Sequence, residues 1–131
     1  MDIFLSVNNR EQVLQLPVVP SAFTITKPYK NEVFETATQG ELKLIGKAGL
    51  KGITINSFFP IRDYPFLRDR THKGFGYGYI IDTWISEKLP IRLIITETPI
   101  NMVVAVDNFE YTIKSDGDLQ YTLTLSEVKL I

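Results

Sequence analysis

The stretch from Gly76 to Asn101 constrains the fold most, because it joins a helical pattern, a proline stop and an apolar strand. Its first half places apolar residues three and four positions apart, on one face of a helix over about 77–88. Pro90 cannot continue that helix, and the β-branched run 91–96 predicts a buried strand. The predicted core residues of these two elements are Trp84, Ile80, Ile81, Ile85, Leu93 and Ile95.

The rest of the chain alternates apolar and polar residues in short segments separated by Gly, Pro and Asn, which is typical of strands and turns. Asp107-Asn108 indicates a tight connection or a bulge. The other predicted strands are 2–7, 11–16, 22–26, 32–38, 41–45, 50–58, 100–106, 109–114 and 119–131. Many strands beside one helix predict a mainly β (α+β) fold, built as two packed β-sheets or a split barrel with one flanking helix. The length of 131 residues predicts a single domain over 1–131.

Composition excludes several classes of function. Fourteen basic and fifteen acidic side chains give a formal net charge of −1, which argues against a dedicated nucleic-acid binder or an electrostatic membrane anchor. No apolar run approaches the length of a membrane span, so we expect no membrane partner. The chain has no cysteine, so neither a disulfide nor a thiolate metal site can form.

The longest irregular segment, residues 60–76, mixes aromatic and basic side chains and predicts a functional loop, with one helical turn near Phe66–Arg70. A solvated loop with local ion pairs explains this composition as well as an assembly contact does, since arginine and aromatic residues are enriched at protein interfaces. The candidate subunit interface consists of Phe58, Phe59, Arg62, Tyr64, Phe66, Arg68, Arg70 and Phe75.

No catalytic, cofactor or metal site is predicted. His72, the only histidine, has no neighbouring ligand in a metal-binding spacing and is interpreted as an ordinary loop residue. Gly74, Gly76 and Gly78 precede the helix without the buried strand or the lysine that nucleotide-binding motifs require. The glycines are better explained by close packing of the neighbouring aromatic rings. No serine lies in a nucleophile motif, so the sequence does not indicate an enzyme.

The sequence segments of this chain, in the order in which they occur, resemble the N-terminal domain of LysM-containing baseplate proteins. Those proteins belong to contractile-tailed bacteriophages and phage-tail-like particles. The resemblance spans Ile3 to about Ser126. It is carried by Asn8-Asn9-Arg10-Glu11, Leu16-Pro17, Pro20-Ser21, Gly40-Glu41, Ile45-Gly46-Lys47, Ser57-Phe58-Phe59-Pro60 and Pro90-Ile91-Arg92-Leu93-Ile94-Ile95-Thr96.

The resemblance implies a tail-tube-like fold and a structural role at the junction of baseplate hub and tail tube. It implies self-association into a ring, most simply a hexamer, with tail tube and hub proteins as further partners. Assembly in the bacterial cytoplasm and a final place in a virion tail or tail-like particle follow from the same resemblance. No LysM module follows in this sequence, so peptidoglycan contact is not expected.

A carbohydrate- or ligand-binding β-domain is the alternative interpretation. Such a domain would present exposed aromatic residues beside an open pocket. A soluble enzyme would instead show a cleft with converging titratable groups.

Overall fold

The computed structural model describes residues 1–129 of the chain. Ten elements follow one another in these residues: β1 (Ile3–Val7), β2 (Gln12–Gln15), β3 (Thr24–Thr26), β4 (Glu32–Thr36), β5 (Gly40–Leu44), β6 (Gly52–Phe59), α1 (Phe75–Ser86), β7 (Ile91–Ile95), β8 (Asn101–Ile113) and β9 (Leu119–Glu127). The predicted class, mainly β with one helix, is confirmed. The predicted continuation of the last strand through 130–131 lies outside the described residues.

Seven of the nine strands form one antiparallel sheet in the order β2-β1-β7-β8-β9-β6-β3. Within residues 1–129, the other two strands, β4 and β5, pair only with each other and form a separate two-stranded sheet. The second sheet is a hairpin that continues outward from β3 and β6, and we call residues 27–50 the arm.

Alternate residues of the strands in the large sheet are buried and form one core together with residues of helix α1. Leu93 and Ile95 lie in this buried layer, as do Ile81 and Trp84 from the helix, whereas Ile80 and Ile85 are half-buried at its margin. The Trp84 indole N–H donates to Oε1 of Gln12 at 2.8 Å. This bond ties the helix to the β1–β2 hairpin.

The helix runs from Phe75 to Ser86, two residues earlier than the pattern indicated. Gly78 allows it to lie close to the sheet, since a Cβ at this position would meet Leu119 at 3.2 Å. The backbone reverses at Lys88, whose φ is +56°, before Pro90 leads into β7.

Asn101–Ile113 form one long strand with a bulge between Val106 and Asn108, where the sequence predicted two strands, 100–106 and 109–114. The extra residue changes the parity of the inward-facing positions. Before the bulge, the even-numbered residues Met102 and Val104 pair with residues of β7 or β9. After the bulge, the odd-numbered residues Phe109 and Tyr111 pair with residues of β9. The bulge therefore keeps apolar residues on one face along the whole strand.

Candidate assembly surface

Loop 60–74, which joins β6 to α1, has no helical turn at Phe66–Arg70, contrary to the sequence prediction. Its shape depends instead on an ion pair between side chains and on hydrogen bonds from side chains to the backbone. Arg70 lies along the loop, pairs with Asp63 at 2.6 Å and donates to the carbonyl oxygen of Tyr64 at 3.1 Å. Because this guanidinium binds within its own loop, Arg70 acts mainly to shape the surface.

Asp118 holds the loop to the turn that precedes β9. Its buried carboxylate accepts the Ile61 backbone N–H at 2.9 Å and the Tyr64 hydroxyl at 3.0 Å. The hydrogen bond to Asp118 raises the pKa of the Tyr64 phenol above its usual value. The sequence indicated only a turn at 115–118, and the carboxylate's role as an anchor for the loop was missed.

A second anchor joins the loop to the helix. The Tyr77 hydroxyl donates to Oδ2 of Asp69 at 2.8 Å, and the Tyr77 ring lies edge-on to His72 at 5.2 Å. Burial, together with this hydrogen bond, raises the pKa of Tyr77 to about 12. No cluster of three or more metal-ligating side chains occurs within the described residues.

Three of the predicted interface aromatics come together at the start of the loop. Phe58 lies edge-on to Tyr64 and Phe66, with ring centroids 6.0 and 6.2 Å apart, and Tyr64 stacks on Phe66 at 5.1 Å. Phe66 is more than half exposed, while Phe58 and Tyr64 are partly covered. The Arg62 and Arg68 side chains, both more than half exposed, extend from the same loop.

Phe59 does not belong to this surface and is corrected to a core residue. It is fully buried, with its ring stacked between Tyr77 at 5.2 Å and Tyr121 at 4.1 Å. The physical reason is strand parity, since Phe59 shares the inward face of β6 with Ile53 and Ile55. Phe75 is exposed but lies apart from the cluster, edge-on to Tyr111 at 5.6 Å.

The sheet also has concave regions. A hollow of about 700 Å³ lies beside the β1–β2 turn and is lined by Ser6, Val7, Asn8, Asn9, Arg10, Pro90, Arg92, Asn101 and Val103. It has no aromatic lining. A groove of about 310 Å³ on the β6–β9–β8 face has Phe58 beside the polar side chains of Asn56, Gln120 and Glu110.

The arm presents a second exposed surface, which sequence reasoning did not assign to assembly. In the β4–β5 register, Phe34 pairs with Leu42 and Glu32 with Leu44, so these four residues share one face. Phe34 and Leu44 are 42% and 54% exposed, and Ile45 beyond them is 90% exposed. Apolar side chains on a projecting hairpin are typical of a contact surface.

The arm has a defined base. The Lys30 N–H donates to the Lys47 carbonyl at 2.9 Å, and the Gly49 N–H donates to the Pro28 carbonyl at 2.7 Å. At Gly46 a Cβ would collide with the backbone carbonyl of Lys30. Glycine is therefore required there for the two strands to approach each other.

Comparison with known proteins identifies relatives of the fold. No protein-family model matches the chain. The uncharacterized protein YqbP of Bacillus subtilis (strain 168) is 33% identical over 129 residues, 94% of this chain. The chain spans only 58% of the length of that relative.

Two solved structures have a similar fold. The first is a chain in the tail of an empty gene transfer agent particle with C6 symmetry, with a TM-score of 0.64 and 13% identity, covering 99% of this chain and 92% of that one. The second, from the virion of a native gene transfer agent particle, has a TM-score of 0.60 and 12% identity, covering 98% and 92%. This chain therefore has a fold found in the proteins of tailed particles.

Proposed function

We propose that this chain is a structural, non-enzymatic component of a contractile phage tail or tail-like particle, located where the baseplate hub meets the tail tube. Copies of the chain associate into a ring around the tail axis, most simply a hexamer, and contact tube and hub proteins. Cytoplasmic assembly precedes incorporation into the particle. The observation that carries the proposal is the fold similarity over 99% of the chain to a protein of a C6-symmetric tail.

The surface features support an assembly role. An aromatic cluster at Phe58, Tyr64 and Phe66 is held in place by Asp118, and an apolar arm extends from another part of the molecule. Interfaces enriched in aromatic and arginine side chains are typical of stable protein contacts. A ring needs two different surfaces on each copy, and this chain offers two.

The alternative, a ligand-binding β-domain, has one favourable feature. Phe58 lies beside Asn56, Gln120 and Glu110 in the groove of about 310 Å³, and such a combination can bind a sugar ring. Binding to soluble peptidoglycan fragments or oligosaccharides, measured by calorimetry on the monomer, would favour this alternative. Absence of binding together with ring formation would favour the structural role.

The structural role is tested by locating the chain in particles and by replacing its aromatic surface. A tagged copy expressed in the encoding strain should purify with tail particles, and the purified protein should form rings visible by electron microscopy. Replacing Phe58 and Phe66 by Ser should leave a folded monomer that does not assemble, because Tyr64 still holds the loop through Asp118.

The matched control is Tyr79→Ser, which changes an aromatic residue that is 65% exposed on the helix. This variant should assemble normally. Normal rings from the Phe58→Ser, Phe66→Ser variant would contradict the proposed contact surface, and absence of the chain from particles would contradict the tail role.

A further inference from the structure

The arm is amphipathic, and its apolar face has a specific charge pattern. Phe34, Leu42 and Leu44 share this face with Glu32, while Lys43, the pair Glu35–Glu41 and one apolar residue, Val33, occupy the other. Among the residues of β4 and β5 on the apolar face, Glu32 is the one charged side chain, so this face carries a single formal negative charge. An apolar face beside a carboxylate indicates a partner that is apolar at its centre and basic at its rim.

A hollow in the loop has this chemistry. It has a volume of about 240 Å³. Its lining includes the apolar Pro60 and Leu67, the basic Arg62 and Lys73, and the acidic Asp63 and Asp69. Small-molecule sites are usually larger, at about 300–1,000 Å³, so this hollow suits a single large side chain. Residues 61–75 contain four basic and two acidic side chains, a formal charge of +2.

The cations at the rim are available to a partner. Arg62 lies 3.9 Å from Asp116, a long ion pair, and it remains 60% exposed. Lys73 is exposed and makes no ion pair within 4.0 Å among the described residues. These cations therefore complement the carboxylate of Glu32 on the apolar face of the arm.

An arm cannot reach the hollow of its own chain. The arm leaves the sheet at Gly52, the first residue of β6, and the loop begins at Pro60, immediately after the last residue of the same strand. Eight residues of extended strand separate these points by roughly 24 Å. The bonds at the arm base continue the line of β3 and β6 away from the loop.

We infer that the arm of one copy docks on the loop hollow of a second copy, with Phe34 in the hollow and Glu32 against Lys73 and Arg62. The contact joins copies head to tail along the direction of β6, because its two halves lie at opposite ends of that strand. The inference rests on the proposed self-association and specifies the two surfaces that meet.

Charge reversal tests this pairing. Glu32→Lys and Lys73→Glu should each weaken self-association of the full chain about tenfold, measured by sedimentation over a range up to millimolar protein. A mixture of the two variants should recover association, because the arm of the first variant then complements the loop of the second. Glu97→Lys, at an exposed residue on a β-turn, serves as the control and should leave association unchanged.

Cysteine cross-linking gives a second measurement, since the native chain has no cysteine. Thr36→Cys on the apolar face of the arm and Thr71→Cys in the loop, carried by differently tagged copies, should form a mixed disulfide on mild oxidation. Thr36→Cys with Ser86→Cys at the helix end should cross-link much more slowly.

Three results would overturn the inference: a native chain that stays monomeric at millimolar concentration, variants that associate as the native chain does, or equal cross-linking at Thr71 and Ser86. If rings still form from each of the two single charge-reversal variants, the docking contact is refuted while the tail role stands. Absence of the chain from particles refutes the tail role instead.

Discussion

At the scale of single residues, a few large buried side chains connect the helix to the sheet. Trp84 is almost fully buried on α1 and also bonds Gln12 in β2, so one side chain contributes both apolar packing and a hydrogen bond. Tyr77 packs on Phe59 and bonds Asp69, which joins the core to the loop. Changes at these residues should act on the stability of the single chain.

Replacing Trp84 by Ala should lower the free energy of unfolding by about 3–5 kcal/mol, because it leaves a cavity and removes the partner of Gln12. Urea denaturation followed by circular dichroism measures this change. Tyr79→Ala, at an exposed position on the same helix, should change the free energy by less than about 0.5 kcal/mol. Similar losses in the two variants would show that the helix does not pack as described.

Ionisation of the Tyr77 phenol should make the stability of the folded protein depend on pH in the alkaline range. Its pKa is raised from 10.0 to about 12 in the folded state, so the folded protein holds the phenolic proton more tightly than the unfolded chain does. The resulting stabilisation is complete below pH 10 and is lost as the pH rises toward 12. Tyr77→Phe should therefore be less stable than the native protein by about 1–3 kcal/mol at neutral pH.

The difference in the free energy of unfolding between the native protein and Tyr77→Phe should narrow as the pH approaches 12. Only the native protein has a hydrogen-bonded phenol at position 77 that can lose its proton. Chemical denaturation of both proteins across this range measures it. The Tyr121 pKa, also raised by burial, is common to both proteins and cancels in the comparison. A difference that stays constant with pH would contradict a role for the Tyr77 proton.

At the scale of elements, periodicity predicted most of the strands and the helix, because burial of one face imposes a repeat that the sequence must carry. The bulge in β8 also has a signal in the sequence. The inward-facing apolar residues of this strand change from even to odd positions across Asp107-Asn108. The parity of β6 could have placed Phe59 in the core, but its position next to Phe58 suggested a shared surface.

The arm could not be predicted in the same way. Phe34, Leu42 and Leu44 alternate like core residues, and a sequence pattern shows that a face is to be buried without showing what buries it. The hollow in loop 60–74 also escaped prediction. Its shape depends on long-range bonds such as those of Asp118 to Ile61 and Tyr64, which no local pattern specifies.

At the scale of the whole molecule, the chain has two parts that differ in how much they contribute to the core. The large sheet and α1 share one apolar core, whereas β4 and β5 pair only with each other among the described strands. A two-stranded hairpin is marginally stable in water. The arm should therefore be the part of the chain that gains most from contact with another copy.

Hydrogen exchange can separate these two parts. Amides of β4 and β5 should exchange quickly in the monomer, while those of β6 and β9 stay protected until global unfolding. In assemblies the arm amides should become protected as well. Strong protection of the arm in the monomer would show that it needs no partner.

Gly46→Ala should weaken assembly without lowering the global stability, because the added Cβ collides only with the arm backbone at Lys30. Gly52→Ala is the control, since the structure has room for its Cβ.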